Sequence, residues 1–238
     1  MICVLTKKMQ NKIENLPNIQ EILKKNNVKI NKALGQNFIF DLNITDKIVK
    51  KSDQFASTII EIGSGPGSLT RSILKNKSAV VYAIDKDIQS KAMLADLKMI
   101  YKDRLNIIID DALYYPIWEL GDTPRQIIAN LPYNIGTKML VMWLKNIHKF
   151  DLLTLMFQKE VADRIIAKPG SKNYGRLSIL TNWLTQSSKL FDIPSKAFIP
   201  RPKVNSTVIQ LKPLSKPIFD VSFESLEKLT HLAFSQKR

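Results

Sequence analysis

The chain has 238 residues, 45% of them hydrophobic, and a formal net charge of +15. That length suits one full domain or a domain with a small appendage, and the apolar content can fill a packed core. No apolar run approaches the ~18–20 residues of a membrane span, Met1–Lys8 lacks the pattern of a signal peptide, and one cysteine (Cys3) with two histidines excludes an internal disulfide and argues against a zinc site. The expectations are a reducing compartment, the cytoplasm, no metal and no membrane. A polyanionic partner, nucleic acid above all, would meet a broad basic face, because the Lys and Arg residues are spread along the chain.

In chain order, residues 1–30 read as a basic N-terminal extension. Within it Ile19, Ile22 and Leu23 fall at helical spacing after Pro17. Leu34 to Phe38 reads as a loop, and Asp41 to Lys51 as a short helix with Ile44, Ile48 and Val49 on one face. The pattern then alternates. Strands are predicted at 58–62, 79–84, 105–109, 126–129 and 152–157, with helices at 68–74, 88–99 and 137–147 between them. Strands and helices at this spacing predict parallel βαβ units with right-handed crossovers. After Gln158 the pattern changes: helices are predicted at 160–167, 176–185 and 223–234, with one alternating strand at 206–211.

The strand ends carry Glu61 and Gly63, then Asp85, Asp111 and Asn130. In a parallel sheet these ends share one edge, and ligands bind in the crevice there. The run Gly63-Ser64-Gly65-Pro66-Gly67 departs from a dinucleotide fingerprint, because Ser68 stands where a third glycine belongs and Pro66 removes an N–H. No P-loop follows it, so the loop suits a nucleoside without phosphates. Asp85 can accept the ribose hydroxyls of an adenosine or cap the following helix. Asp111 can accept from an adenine amine, and Asp110 is as well explained by solvation. Asn130-Leu131-Pro132-Tyr133 joins an amide, a locked backbone and an aromatic ring. It suits the exocyclic amine of a flat nitrogen-rich ring, and as a bare motif it is also a Pro-centred turn.

Taken together, Leu34-Gly35-Gln36-Asn37-Phe38, Glu61 to Gly67, Asp110-Asp111-Ala112, Asn130 to Ile135, Gln158 to Ala162 and Phe198 to Val204 resemble the ribosomal RNA adenine dimethyltransferases of the small-subunit type, within the class I S-adenosylmethionine-dependent methyltransferases. The resemblance runs from about residue 30 to the C-terminus. It implies an α/β fold: a Rossmann-like seven-stranded methyltransferase sheet over 31–212, then the start of a mainly helical RNA-binding domain over 213–238. The family's last domain continues beyond Ala233–Arg238, so the chain reads as truncated there. The implied activity is dimethylation at N6 of two adjacent adenines in a loop near the 3′ end of small-subunit RNA, in a pre-30S particle, by a monomer. Large-subunit RNA, or an assembly role with catalysis secondary, are the alternatives.

By the same resemblance the cofactor residues are Asn37, Ile39, Gly63, Asp85, Asp111 and Asn130. The catalytic residues are Asn130, Leu131, Pro132 and Tyr133, and Phe198, Arg201 and Lys203 would meet the RNA. Two departures from the family stand here: Asp85 where Glu is usual, and Ile39 where Leu is usual.

Overall fold

The computed structural model describes residues 16–28, 35–52 and 56–235. Much of the expected N-terminal extension, Cys3, Leu34 and the last three residues lie outside that range. The elements are α1 (Ile19–Lys25), β1 (Phe38–Ile39), α2 (Leu42–Lys51), β2 (Thr58–Ile62), α3 (Ser68–Asn76), β3 (Val80–Asp85), α4 (Gln89–Met93), α5 (Ala95–Tyr101), β4 (Leu105–Ile109), β5 (Arg125–Asn130), α6 (Gly136–Lys145), β6 (Leu152–Gln158), α7 (Lys159–Ile165), α8 (Arg176–Leu184), β7 (Thr185–Ile193), β8 (Phe198–Ile199), β9 (Ser206–Pro213) and α9 (Phe223–Ser235).

Seven strands form one sheet in the order β4-β3-β2-β5-β6-β9-β7. The first five pair in parallel, Thr58 opposite Val80 and Asn130 opposite Met156, while β9 runs antiparallel to both β6 and β7. The chain lays down β2, β3 and β4 toward one edge and then returns to place β5 on the other side of β2. The strand order therefore reverses between β2 and β5, where a crevice opens beyond the carboxyl ends. A two-stranded antiparallel sheet, β1 with β8, sets Phe38 opposite Ile199 and Ile39 opposite Phe198.

Side-chain alternation along β2 separates two cores. Ile60 and Ile62 enter the core shared with α6, α8 and α9, and Ile59 enters the core shared with α2, α3 and α5. Period two then puts Glu61 on the Ile59 face, beneath α3. At the C-terminal end, α9 buries Leu226 against the first of these cores. Trp183 on α8 stacks on Phe219 and donates its Nε1–H to the Phe219 carbonyl at 2.8 Å. Near the N-terminus, Arg71 donates to the Pro17 carbonyl at 2.7 Å, and Ile19 and Ile22 pack with Met93.

Three expectations change. The single helix predicted at 88–99 is two helices that meet at Leu94, a fully buried residue whose methyl packs against Gly67. The helix predicted through Thr185 ends at Leu184, and Thr185 begins β7, the seventh strand of the sheet, which no local pattern had placed. Its inward residues Thr185 and Ser187 are small and polar, so no apolar alternation announces it. Phe38 belongs to a strand rather than to a loop. Among the described residues no helix is long and apolar enough to cross a membrane, and no group of three or more His, Cys, Asp or Glu is placed to hold a metal.

Candidate active site

A cavity of about 210 Å³ opens at the reversal point. Its walls come from the ends of four parallel strands and from residues 35–38, which cross above them.

The glycine loop after β2 forms one wall. Gly63, Gly65 and Gly67 have φ of 74°, 49° and 85°, values that side-chain-bearing residues rarely adopt. Space forbids a side chain at Gly65 as well, since a Cβ there would lie 2.7 Å from Phe38 Cε1. Asp85 pins this loop. One of its oxygens accepts from Gly65 N–H at 2.7 Å and the other from Asp87 N–H at 2.9 Å. Burial raises the Asp85 carboxyl above its ordinary value, and those two N–H donors oppose the rise. The Ser64 hydroxyl also bonds this carboxylate, whose roughly four lone-pair sites still leave capacity for a ligand.

Glu61 lies under the loop with 1% of its surface exposed, and its Oε2 has no hydrogen-bond partner. Burial pushes this carboxyl up to about 8, against hydrogen bonding from Thr70 on α3. A neutral acid avoids the cost of taking a carboxylate out of water. The unfolded chain ionises Glu61 above its ordinary 4.5, whereas the folded chain holds the proton to about 8. Folding stability from this group is therefore complete below pH 4.5 and declines as pH rises toward 8, with a slope of up to about 1.4 kcal/mol per pH unit. Glu61→Gln is expected to flatten that decline. Urea unfolding at pH 5, 6.5 and 8 measures it, and parallel slopes for the two proteins would refute the assignment.

At the tip of β4, Asp111 Oδ2 lies 2.9 Å from Lys86 Nζ, and its Oδ1 accepts from Leu113 N–H at 3.0 Å. The hydrogen bond from Lys86 holds the Asp111 carboxyl below its ordinary value. Asp110 accepts from Asp111 N–H at 2.7 Å and also lines the cavity.

The opposite wall is the turn after β5. The Asn130 amide donates through Nδ2 to the backbone carbonyl of Asn37 at 3.0 Å, which leaves Oδ1 as its acceptor. Pro132 carries no N–H, and its carbonyl accepts from Ile135 and Gly136 to start α6. A Cβ built on Gly63 would lie 3.7 Å from the Asn130 carbonyl, so the two walls touch. Gly35, at φ 66°, packs on Pro132 and Asn134. The Tyr133 ring is half-buried beside them, and burial raises its phenol.

The structure thus brings Asn37, Gly63, Asp85, Asp111, Asn130, Leu131, Pro132 and Tyr133 to one cavity. Four expected residues fall elsewhere. Ile39 and Phe198 face each other across the β1–β8 pair, are 3% and 1% exposed, and belong to the hydrophobic core. Pairing with β1 turns Phe198 inward and leaves its neighbour Ile199 outward at 41% exposure. Arg201 and Lys203 are exposed, and Arg201 Nε donates to Ser195 Oγ at 3.1 Å. Lys86 and Gln36 line the cavity without having been singled out. Gln36 donates to Asp87 at 3.0 Å. Only the position of Lys86 beside Asp85, at the convergent edge, pointed to it.

The residues suit S-adenosylmethionine. The glycines leave room for close approach, and acids at two successive strand tips can accept from a nucleoside's ribose and its amine. Fold and cavity together define a class I S-adenosylmethionine-dependent methyltransferase. Residues 27–238 match the family described as ribosomal RNA adenine dimethylase, and the chain belongs to that family. It is 43% identical over 226 residues to the ribosomal RNA small subunit methyltransferase A of Rhodospirillum rubrum, a match covering 94% of this chain and 78% of that protein. Among solved structures, the dimethyladenosine transferase of Plasmodium falciparum superposes with a TM-score of 0.73 at 28% identity, over 84% of this chain and 72% of that one. The 23S rRNA methyltransferase ErmE shares the fold, with a TM-score of 0.69 at 22% identity over 84% and 80%.

Proposed function

We propose that this protein transfers methyl groups from S-adenosylmethionine to the N6 amine of adenines in small-subunit ribosomal RNA. The observation that carries the proposal is the Asn130 amide. Its nitrogen is held by the Asn37 carbonyl at 3.0 Å, and its oxygen is left to accept inside a cavity shared with the glycine loop. The names of the related proteins support the choice of small-subunit RNA.

An adenine amine is a poor nucleophile because its lone pair is delocalised into the ring. Asn130 Oδ1 and the Leu131 carbonyl accept from its two N–H groups and orient the nitrogen. Pro132 fixes the backbone that aims the Leu131 carbonyl. Tyr133 stacks on the base, an interaction worth about 1–3 kcal/mol. Gly63, Asp85, Asp111 and the Asn37 backbone hold the cofactor, which supplies an already activated methyl group on a sulfonium. Catalysis by the protein is thus mostly positioning, and the nitrogen's surplus proton passes to water. Phe198, buried in the core, is not assigned to the base. Arg201 and Lys203 are assigned to phosphates, and with a net charge of +15 the RNA affinity is expected to fall linearly on a log–log plot against salt.

The deciding experiment incubates the protein with S-adenosylmethionine and unmethylated small-subunit RNA or particles, and analyses the nucleosides by mass spectrometry. Dimethylated adenosine at adjacent positions is the expected product. Methylation of large-subunit RNA alone, or of no adenine, refutes the proposal.

A further inference from the structure

We infer that Ser206 is a positioning residue for methyl transfer, fixing the ring of Tyr133 from the antiparallel edge of the sheet. The inference rests on the reading of Tyr133 as the platform for the target base. The two hydroxyl oxygens, Tyr133 Oη and Ser206 Oγ, lie 2.7 Å apart across 73 residues of sequence.

The two partners differ in how firmly they are held. Ser206 is fully buried and opens β9, where it pairs with Gln158 of β6 on one side and Ile193 of β7 on the other. Its backbone is therefore fixed by two ladders. Tyr133 sits in a turn, and its ring swings about two side-chain torsions. A hydrogen bond at the far end of the ring restrains both torsions at once. Burial keeps the phenol protonated, so it can donate to or accept from the serine.

The segment leading into Ser206 is braced to the same point. Lys159 N–H donates to the Asn205 carbonyl and Ser195 N–H to Asn205 Oδ1, each at 2.9 Å, and Arg201 bonds Ser195 at 3.1 Å. Exposed Arg201 and Lys203 and the Tyr133 ring thus belong to one braced unit. RNA phosphate held by that segment and a base held on Tyr133 share one frame of reference, set by Ser206.

A double-mutant cycle tests this on the full chain, with unmethylated small-subunit RNA and saturating S-adenosylmethionine under single-turnover conditions. Ser206→Ala and Tyr133→Phe are each expected to slow methyl transfer about 5- to 10-fold, the effect of one lost hydrogen bond. The double variant is expected to be no slower than either single one. Calorimetry is expected to give unchanged affinity for S-adenosylmethionine in all three, which a general loosening of the fold would not. Wild-type rates in Ser206→Ala, or losses that multiply in the double variant, overturn the inference. If Ser206→Ala does not fold, Tyr133→Phe at its half-buried position still decides, and a wild-type rate there overturns it. Tyr133→Ala separates the two readings: a wild-type rate in that variant removes the base platform itself, whatever Ser206 does.

Discussion

Asn130→Ala is expected to lower the single-turnover rate of methyl transfer by about 10²–10³-fold, the usual cost of deleting one preorganised polar group aimed at a reacting centre. The variant keeps Gly63, Asp85 and Asp111 on the cavity wall. Its affinity for S-adenosylmethionine is therefore expected to fall only about fivefold, the share of one hydrogen bond. Asn130→Asp is the informative companion. It retains an acceptor oxygen but replaces the donor to the Asn37 carbonyl, so two oxygens would face each other at the 3.0 Å separation seen now. An intermediate rate is expected, showing that the acceptor must be both present and held. Quenched-flow measurement with radiolabelled cofactor reads these rates, and a near wild-type rate for Asn130→Ala would falsify the catalytic assignment.

Gly65→Ala is expected to weaken S-adenosylmethionine binding by about 10- to 100-fold, from left-handed backbone strain of about 1–3 kcal/mol and a collision that moves the loop. The added Cβ would lie 2.7 Å from the Phe38 ring, at φ 49°. Relieving that contact shifts the N–H that Asp85 accepts at 2.7 Å. Gly170→Ala is the control. It carries the same kind of strain, at φ 83°, but a Cβ there has nothing within 4 Å. It is expected to cost stability while leaving cofactor affinity unchanged. Calorimetric titration of both variants separates strain from collision, and equal cofactor affinities for the two would refute the account.

The parallel half of the molecule was legible because its information is local. Thr58–Ile62, Leu105–Ile109 and the run into Asn130 are short apolar stretches that run out at Gly63, Asp110 and Asn130, and topology alone places those ends together. The antiparallel edge was not legible in the same way. Thr185 and Ser187 face inward in β7 as small polar groups, so the strand shows only in its pairing with β9. The site follows the same division. Gly63, Asp85, Asp111 and Asn130 stand at strand tips and could be named. The Asn37 carbonyl and the Ser206 hydroxyl act across 93 and 73 residues, through contacts that no spacing encodes. Phe198 and Ile39 show a related point: a motif carries residue types, and the pairing of β1 with β8 decides that these two side chains face the core.

Asn37 and Phe38 are adjacent in the chain, yet one holds the Asn130 amide and the other lies over Gly65. A displacement of this short segment cannot reach one half of the cavity without reaching the other. Donor and acceptor sites are therefore linked thermodynamically: whatever the bound cofactor adds to the affinity for the target adenine, the adenine must return to the cofactor by the same factor. By the same linkage, the demethylated cofactor, which would fill the same walls, is expected to bind with an affinity that depends on whether RNA is bound, a coupling carried by residues 37 and 38.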